Sequence, residues 1–144
     1  GLSVTIPPDI HAAMWEKFLT FCVASGMGAI TRATTGVWRG LPETRQMAEA
    51  AAHEVLAVAQ ARAIAVSDHA VKAAMRLIDS FLEGHSTSMV KDIMEGRPSE
   101  LEAATGLVVR LGQEVGVYTP VNTFIHNSLL PQEMNARGQA ELPS

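Results

Sequence analysis

Apolar residues return at three- and four-residue steps along nearly the whole of this 144-residue chain, and no segment alternates apolar with polar. A helix buries one face every 3.6 residues, whereas a strand needs a period of two, so the pattern predicts an all-α fold. An extended stretch, Val4-Thr5-Ile6-Pro7-Pro8, leads to Asp9, a side chain suited to cap a helix. That first helix is expected to reach about Thr31, with Met14, Phe18, Phe21, Cys22 and Ala29 inward. Gly26 and Gly28 cost it roughly 1 kcal/mol each relative to Ala, which points to something approaching the backbone closely there. Residues 34–40 read as a loop. Pro42 and Glu43 open a second helix that turns Met47, Ala51, Val55, Val58 and Ala59 inward and ends near Ala63. Ser67-Asp68 opens a third, with Val71, Ala74, Met75, Ile78 and Leu82 as its stripe and Gly84 as its stop. A short segment capped by Ser86, Thr87 or Ser88 passes through Val90 and Ile93 to Gly96. Pro98-Ser99-Glu100 begins a helix burying Leu101, Ala104, Val108, Leu111 and Val115 and ended by Gly116. Thr119-Pro120 starts the last, residues 121–130, and the aperiodic stretch from Pro131 reads as a frayed tail.

Composition narrows the function classes. With 47% hydrophobic and 18% charged residues the chain can build one core and is not disordered. A net charge of −4 argues against a general nucleic-acid binder, which needs a basic face. The lone Cys22 excludes a disulfide framework and a multi-cysteine zinc site. No apolar run approaches the roughly 18 residues of a membrane span, and no signal peptide is read. A cytoplasmic protein that engages no membrane is the expectation.

Few residues stand out for chemistry. Gly26-Met27-Gly28 lacks the third glycine and the flanking strand of a dinucleotide loop, so close helix packing is the better account and no Rossmann domain is read in this chain. Glu49 and His53 could share a helix face as metal ligands, but no second pair completes a site. The five histidines read as solvated or capping, Cys22 as an inert core thiol, and Trp15 and Trp38 as packing at domain edges. Lys17 falls beside the apolar stripe of the first helix, with Phe21, Ser25 and Gly28 on the turns above it. It is either a snorkelling side chain or, if partly desolvated, a general acid. Glu100, just after a proline, is either an ordinary first-turn charge or a carboxylate held for use.

Residues 88–102, SMVKDIMEGRPSELE, resemble the S-M-x-x-D-x-x-x-G-R-P-T-E-I-D motif of the ketopantoate reductase (2-dehydropantoate 2-reductase) family. Asp9-Ile10 with Trp15-Glu16-Lys17 is similar to that family's D-I…W-x-K helix start. Gly106-Leu107-Val108-Val109-Arg110-Leu111-Gly112 and Gly116-Val117-Tyr118-Thr119-Pro120-Val121-Asn122 resemble its G-x-V-V-R-L-G…G-V-x-T-P-x-N ending. The resemblance covers roughly residues 2 to 130. It implies a multi-helix C-terminal domain similar to that of 6-phosphogluconate dehydrogenase, with residues 1–8 a linker remnant, 9–131 the substrate and catalytic domain and 132–144 a tail.

The resemblance also implies roles. Lys17 aligns with the catalytic lysine, a general acid to the carbonyl oxygen of a 2-oxo acid being reduced by NADPH. Glu100 aligns with the glutamate that binds the substrate hydroxyl and positions the lysine, and Ser88 with the serine that bonds the substrate carboxylate. NADPH would be bound mainly by an N-terminal Rossmann domain, with contacts from this chain confined to the neighbourhood of Lys17, and this chain alone would be inactive. Phe21 and Ser25 stand at two substrate-binding positions where the well-studied enzymes have asparagines. An apolar side chain at 21 cannot donate a hydrogen bond, so the substrate is expected to be ketopantoate or a related 2-oxo acid. Faces that would meet a second domain make homodimer formation an expectation too. The competing reading is a stand-alone, non-enzymatic helical module for dimerisation or partner binding.

Overall fold

The computed structural model describes residues 10–144; Asp9 and the expected linker 1–8 lie outside the described residues. All regular structure among them is helical: α1 (Ile10–Thr31), α2 (Thr35–Gly40), α3 (Pro42–Ala61), α4 (Ala70–Ser80), α5 (Ser88–Met94), α6 (Thr105–Val115) and α7 (Pro120–Ala136). A three-residue 3-10 turn, Leu101–Ala103, precedes α6.

α1 packs against α2, α3, α4, α5 and α7, and α6 packs against α3 and α7. Residues 22–29 are all buried, more than two turns in succession, so this half of the helix is enclosed on every face. The glycine pair explains how neighbours come so near. A Cβ at Gly26 would lie 3.3 Å from Ile125 of α7, and one at Gly28 would lie 2.8 Å from Val90 of α5. The close approach read from the sequence is therefore helix against helix. By contrast, α4 buries one stripe only, Ala70, Val71, Ala74, Met75 and Ile78.

Several elements depart from their sequence patterns, and each departure has a tertiary cause. Residues 34–40 are largely helical rather than a loop, because Thr35 and Gly36 donate their N–H groups to the carbonyls of His85 (3.0 Å) and Glu83 (2.9 Å). Trp38 is not at an edge but in the core, 1% exposed. The third expected helix is shorter than its pattern and leaves Leu82 exposed. Arg39 on α2 closes its C-terminus by donating from Nη1 to the carbonyls of Ile78 (2.8 Å) and Phe81 (2.7 Å). The helix expected from Pro98 starts only at Thr105, since Ala104 (φ −103°, ψ −104°) is not helical. Met14, counted inward, is exposed, while its neighbours Trp15 and Phe18 pack edge to face with centroids 5.3 Å apart.

The last departure matters most. α7 does not end near Leu130 but continues through Pro131 to Ala136. A proline inside a helix forfeits one backbone bond and costs about 3 kcal/mol. Here Pro131 itself is exposed, and Leu129 and Glu133 on either side are buried, so tertiary contacts carry the helix past it.

Candidate functional site

Lys17, Phe21 and Ser25 follow one another at four-residue intervals along α1, so they share one face, and Lys17 stands about 12 Å along the axis from Ser25. Burial rises steadily along this row. Lys17 is exposed, Phe21 half-buried and Ser25 fully buried. Lys17 lines a shallow groove with Glu16 and Thr20, walled by Ala70, Ala73 and Leu77 of α4. Small side chains on α4 leave that groove open, and the described residues do not withdraw Lys17 from water.

Ser25 has a different part from the one its alignment implies. Its Oγ donates to Thr87 Oγ1 at 2.9 Å, and Thr87 in turn accepts the Val90 N–H at 3.3 Å as the N-cap of α5. Ser25 thus ties the enclosed half of α1 to the cap of α5 and shows no surface to a substrate. Ser88 is the residue after that cap and is exposed, held from below by buried Met89, Val90 and Ile93.

Most of the remaining residues of the 88–102 stretch are architectural. Asp92 accepts from Arg97 Nη2 at 2.9 Å, Glu95 pairs with the same guanidinium, and Gly96 takes φ +73° to let the chain turn. Ser99 is buried against α7. Glu100 follows it, exposed, as the cap of the 3-10 turn, its carbonyl accepting from the N–H groups of Ala103 and Ala104, both at 3.0 Å. It is not in the first turn of a long helix, so the dipole argument from the sequence does not apply to it. Among the described residues no hydrogen bond or ion pair joins Lys17, Ser88 and Glu100 to one another; Phe21 and Lys17 share a face, and Ser88 reaches that face through Thr87 and Ser25.

Sequence reasoning missed two buried or half-buried carboxylates. Glu54 of α3 accepts from the N–H groups of Val121 (2.9 Å) and Asn122 (3.0 Å) and from Asn122 Nδ2 (2.9 Å), capping α7 from another helix. Glu133, 4% exposed, accepts from Ser99. It lay in the segment read as a tail, and no local signal marked it. His126 is buried rather than solvated, with Nε2 3.3 Å from Glu102 Oε1 and Nδ1 unpartnered among the described residues. Cys22 is a core thiol, and burial pushes its ionisation well up. Glu49 pairs with Arg45 at 3.4 Å.

The profile of the family described as "Ketopantoate reductase PanE/ApbA C terminal" matches residues 9–133. A 2-dehydropantoate 2-reductase of Vibrio cholerae is 31% identical over 132 residues, covering 92% of this chain and 44% of that protein. One from Pyrobaculum aerophilum is 28% identical, covering 92% and 47%. A solved structure of a dimeric ketopantoate reductase from Staphylococcus aureus superposes with a TM-score of 0.84 at 26% identity, covering 94% of this chain and 47% of that one. The chain spans about half the length of the relatives it matches.

Proposed function

Since the chain belongs to the ketopantoate reductase C-terminal family, we propose that it is the substrate-binding and catalytic part of an NADPH-dependent 2-oxoacid reductase. The observation that carries this reading is the build of residues 88–102. The stretch invests Asp92, Gly96, Arg97 and Ser99 in a fixed turn, and Ser88 before that turn and Glu100 after it are among the side chains it leaves exposed.

In this reading Lys17 holds a proton at the carbonyl oxygen of the substrate, and its charge favours the alkoxide that develops there. Glu100 accepts a hydrogen bond from the substrate hydroxyl and orients the lysine. Ser88 donates to the substrate carboxylate. Ser25 serves through Thr87, by holding the cap that presents Ser88. Phe21 offers an apolar wall where an amide would have donated, which suits a related 2-oxo acid that keeps the hydroxyl met by Glu100 but is otherwise more apolar than ketopantoate.

NADPH, when bound, supplies the hydride. The glycine pair of α1, Gly26 and Gly28, is packed against Ile125 and Val90, and contacts from this chain to the dinucleotide are confined in this reading to the neighbourhood of Lys17. Its site is assigned to an N-terminal Rossmann domain of the full-length protein. A homodimer and a cytoplasmic location belong to the same reading. In its support, the S. aureus relative is described as dimeric, and no helix among the described residues is long and apolar enough to cross a membrane.

The test uses the full-length protein and a panel of 2-oxo acids. Lys17→Ala is expected to lower turnover by several orders of magnitude with NADPH affinity nearly intact; unchanged turnover removes Lys17 from its role. Phe21→Asn is expected to shift preference towards ketopantoate.

A further inference from the structure

We propose that Glu133 is a positioning residue for Glu100, acting through Ser99. The inference rests on the reading of Glu100 as the group that meets the substrate hydroxyl.

A carboxylate is seldom buried without a compelling set of partners, because leaving water costs it several kcal/mol. Glu133 spends all but one of its hydrogen bonds on one residue. Both of its oxygens accept from the Ser99 N–H (2.6 and 3.1 Å) and both from Ser99 Oγ (3.1 and 3.0 Å). One turn further, at the C-cap of α7, Arg137 Nη2 donates to the Ser99 carbonyl at 3.1 Å and to Glu133 Oε1 at 3.4 Å. Every polar group of Ser99 is therefore held by the last turn of α7 and its C-cap residue. Ser99 Oγ also accepts the Leu101 N–H at 3.2 Å, and Leu101 is fully buried.

Glu100 sits between these two anchored residues, with its own carbonyl engaged by Ala103 and Ala104. Its backbone is thus anchored on either side and at its carbonyl, and the residue is exposed. An apolar residue at 133 would bury as readily without the desolvation cost. What it could not do is receive the N–H and hydroxyl of Ser99 together. The clamp thus sets where the Glu100 carboxylate stands, and a displacement of about 1 Å at such a group is enough to lower a rate by up to a hundredfold.

The test is a double-mutant cycle in the full-length enzyme with a 2-oxo acid that it reduces. Glu133→Gln keeps the volume but sets an amide N–H against the donors of Ser99. It is expected to lower kcat/KM for the 2-oxo acid at least tenfold and leave the dinucleotide KM unchanged. In a Glu100→Ala background, already impaired, it is expected to add nothing. A residue that merely stabilises the fold would cost the same in both backgrounds, and that additivity overturns the proposal. Wild-type kcat/KM for Glu133→Gln overturns it as well. Ser99→Ala, which keeps the backbone N–H on Glu133, is carried through the same cycle, so a poorly folded Glu133→Gln does not decide the matter; it is expected to show a smaller loss that likewise vanishes without Glu100. If Glu100→Ala alone has no effect, the reading of Glu100 fails and takes this proposal with it.

Discussion

Along α1, residues 22–29 are buried without a break, whereas Ile10, His11, Ala13, Met14, Glu16 and Lys17 face solvent. One helix thus has an enclosed half that fixes its direction and register and an open half that presents groups. The enclosed half contains the glycines, where Ile125 of α7 and Val90 of α5 come within reach of an added Cβ. The open half contains the lysine. A polar link, Ser25 to Thr87, crosses from the enclosed half to the cap beneath Ser88. The difference separates two kinds of importance: substitutions in the enclosed half should act on stability, and those in the open half on chemistry.

The contrast is tested most strongly by two methionines. Met27→Ala, at a site with no exposure, is expected to cost about 2–5 kcal/mol through lost contacts and a cavity. Met14→Ala, at a site 61% exposed, is expected to stay within about 0.5 kcal/mol. Urea denaturation midpoints measure both; comparable losses would erase the distinction between the halves.

A second, somewhat smaller effect concerns the wall behind α1. Glu54→Ala removes an acceptor that serves three donors at the start of α7, and the expected loss is about 2–3 kcal/mol. Hydrogen exchange at Val121 and Asn122 should accelerate before exchange in α1 does. If both helices lose protection together, α7 is not held independently at its first turn.

Glu54 also shows where sequence reading stops. The helical class, the starts of α3 and α7 at Pro42 and Pro120, and the glycine pair were all legible, because each is a local pattern with a local cause. Of the candidate residues, Ser88 falls at the start of α5, within the capping run read there, whereas Glu100 caps a three-residue 3-10 turn instead of opening the long helix read from Pro98. What was hidden depends on which distant residue arrives. Arg39 shortens α4, the carbonyls of Glu83 and His85 nucleate α2, and Glu133 draws α7 past a proline that reads locally as a stop. The burial of Ser25 belongs with these, since nothing in the row Lys17, Phe21, Ser25 reveals that its last member is covered by α5.

A subtler probe of the enclosed half is Gly28→Ala. The added Cβ would lie 2.8 Å from a methyl of buried Val90, so overpacking of about 1–3 kcal/mol opposes a gain in helix propensity of about 1 kcal/mol. The expected net loss is about 0–2 kcal/mol. Introduced into a Val90→Ala background the same substitution should lose its penalty, because the methyl it meets is gone. A penalty that persists there would mean that α5 is not what confines this part of α1.

The smallest effect is expected on the solvent side, between Arg45 of α3 and Asp79 of α4. Their bidentate contacts, 2.8 and 2.9 Å, hold the Asp79 carboxyl below its ordinary value, chiefly through the Arg45 hydrogen bonds. A carboxyl lowered in the folded state adds stability that is fully present above its unfolded value, near 3.8, and is lost as the pH falls through the lower folded one. The guanidinium stays protonated throughout and sets no limit of its own. With Asp79 about half-exposed, the pair is worth less than about 1 kcal/mol. The difference in stability between the wild type and Asp79→Asn should therefore be small and flat from pH 7 to about pH 5, then shrink as the pH drops below 3.8. Raising the ionic strength at pH 7 should shrink it too. A large, salt-insensitive difference would place this pair with the buried clamps of Glu54 and Glu133 and move the boundary between scaffold and surface outward to the α3–α4 seam.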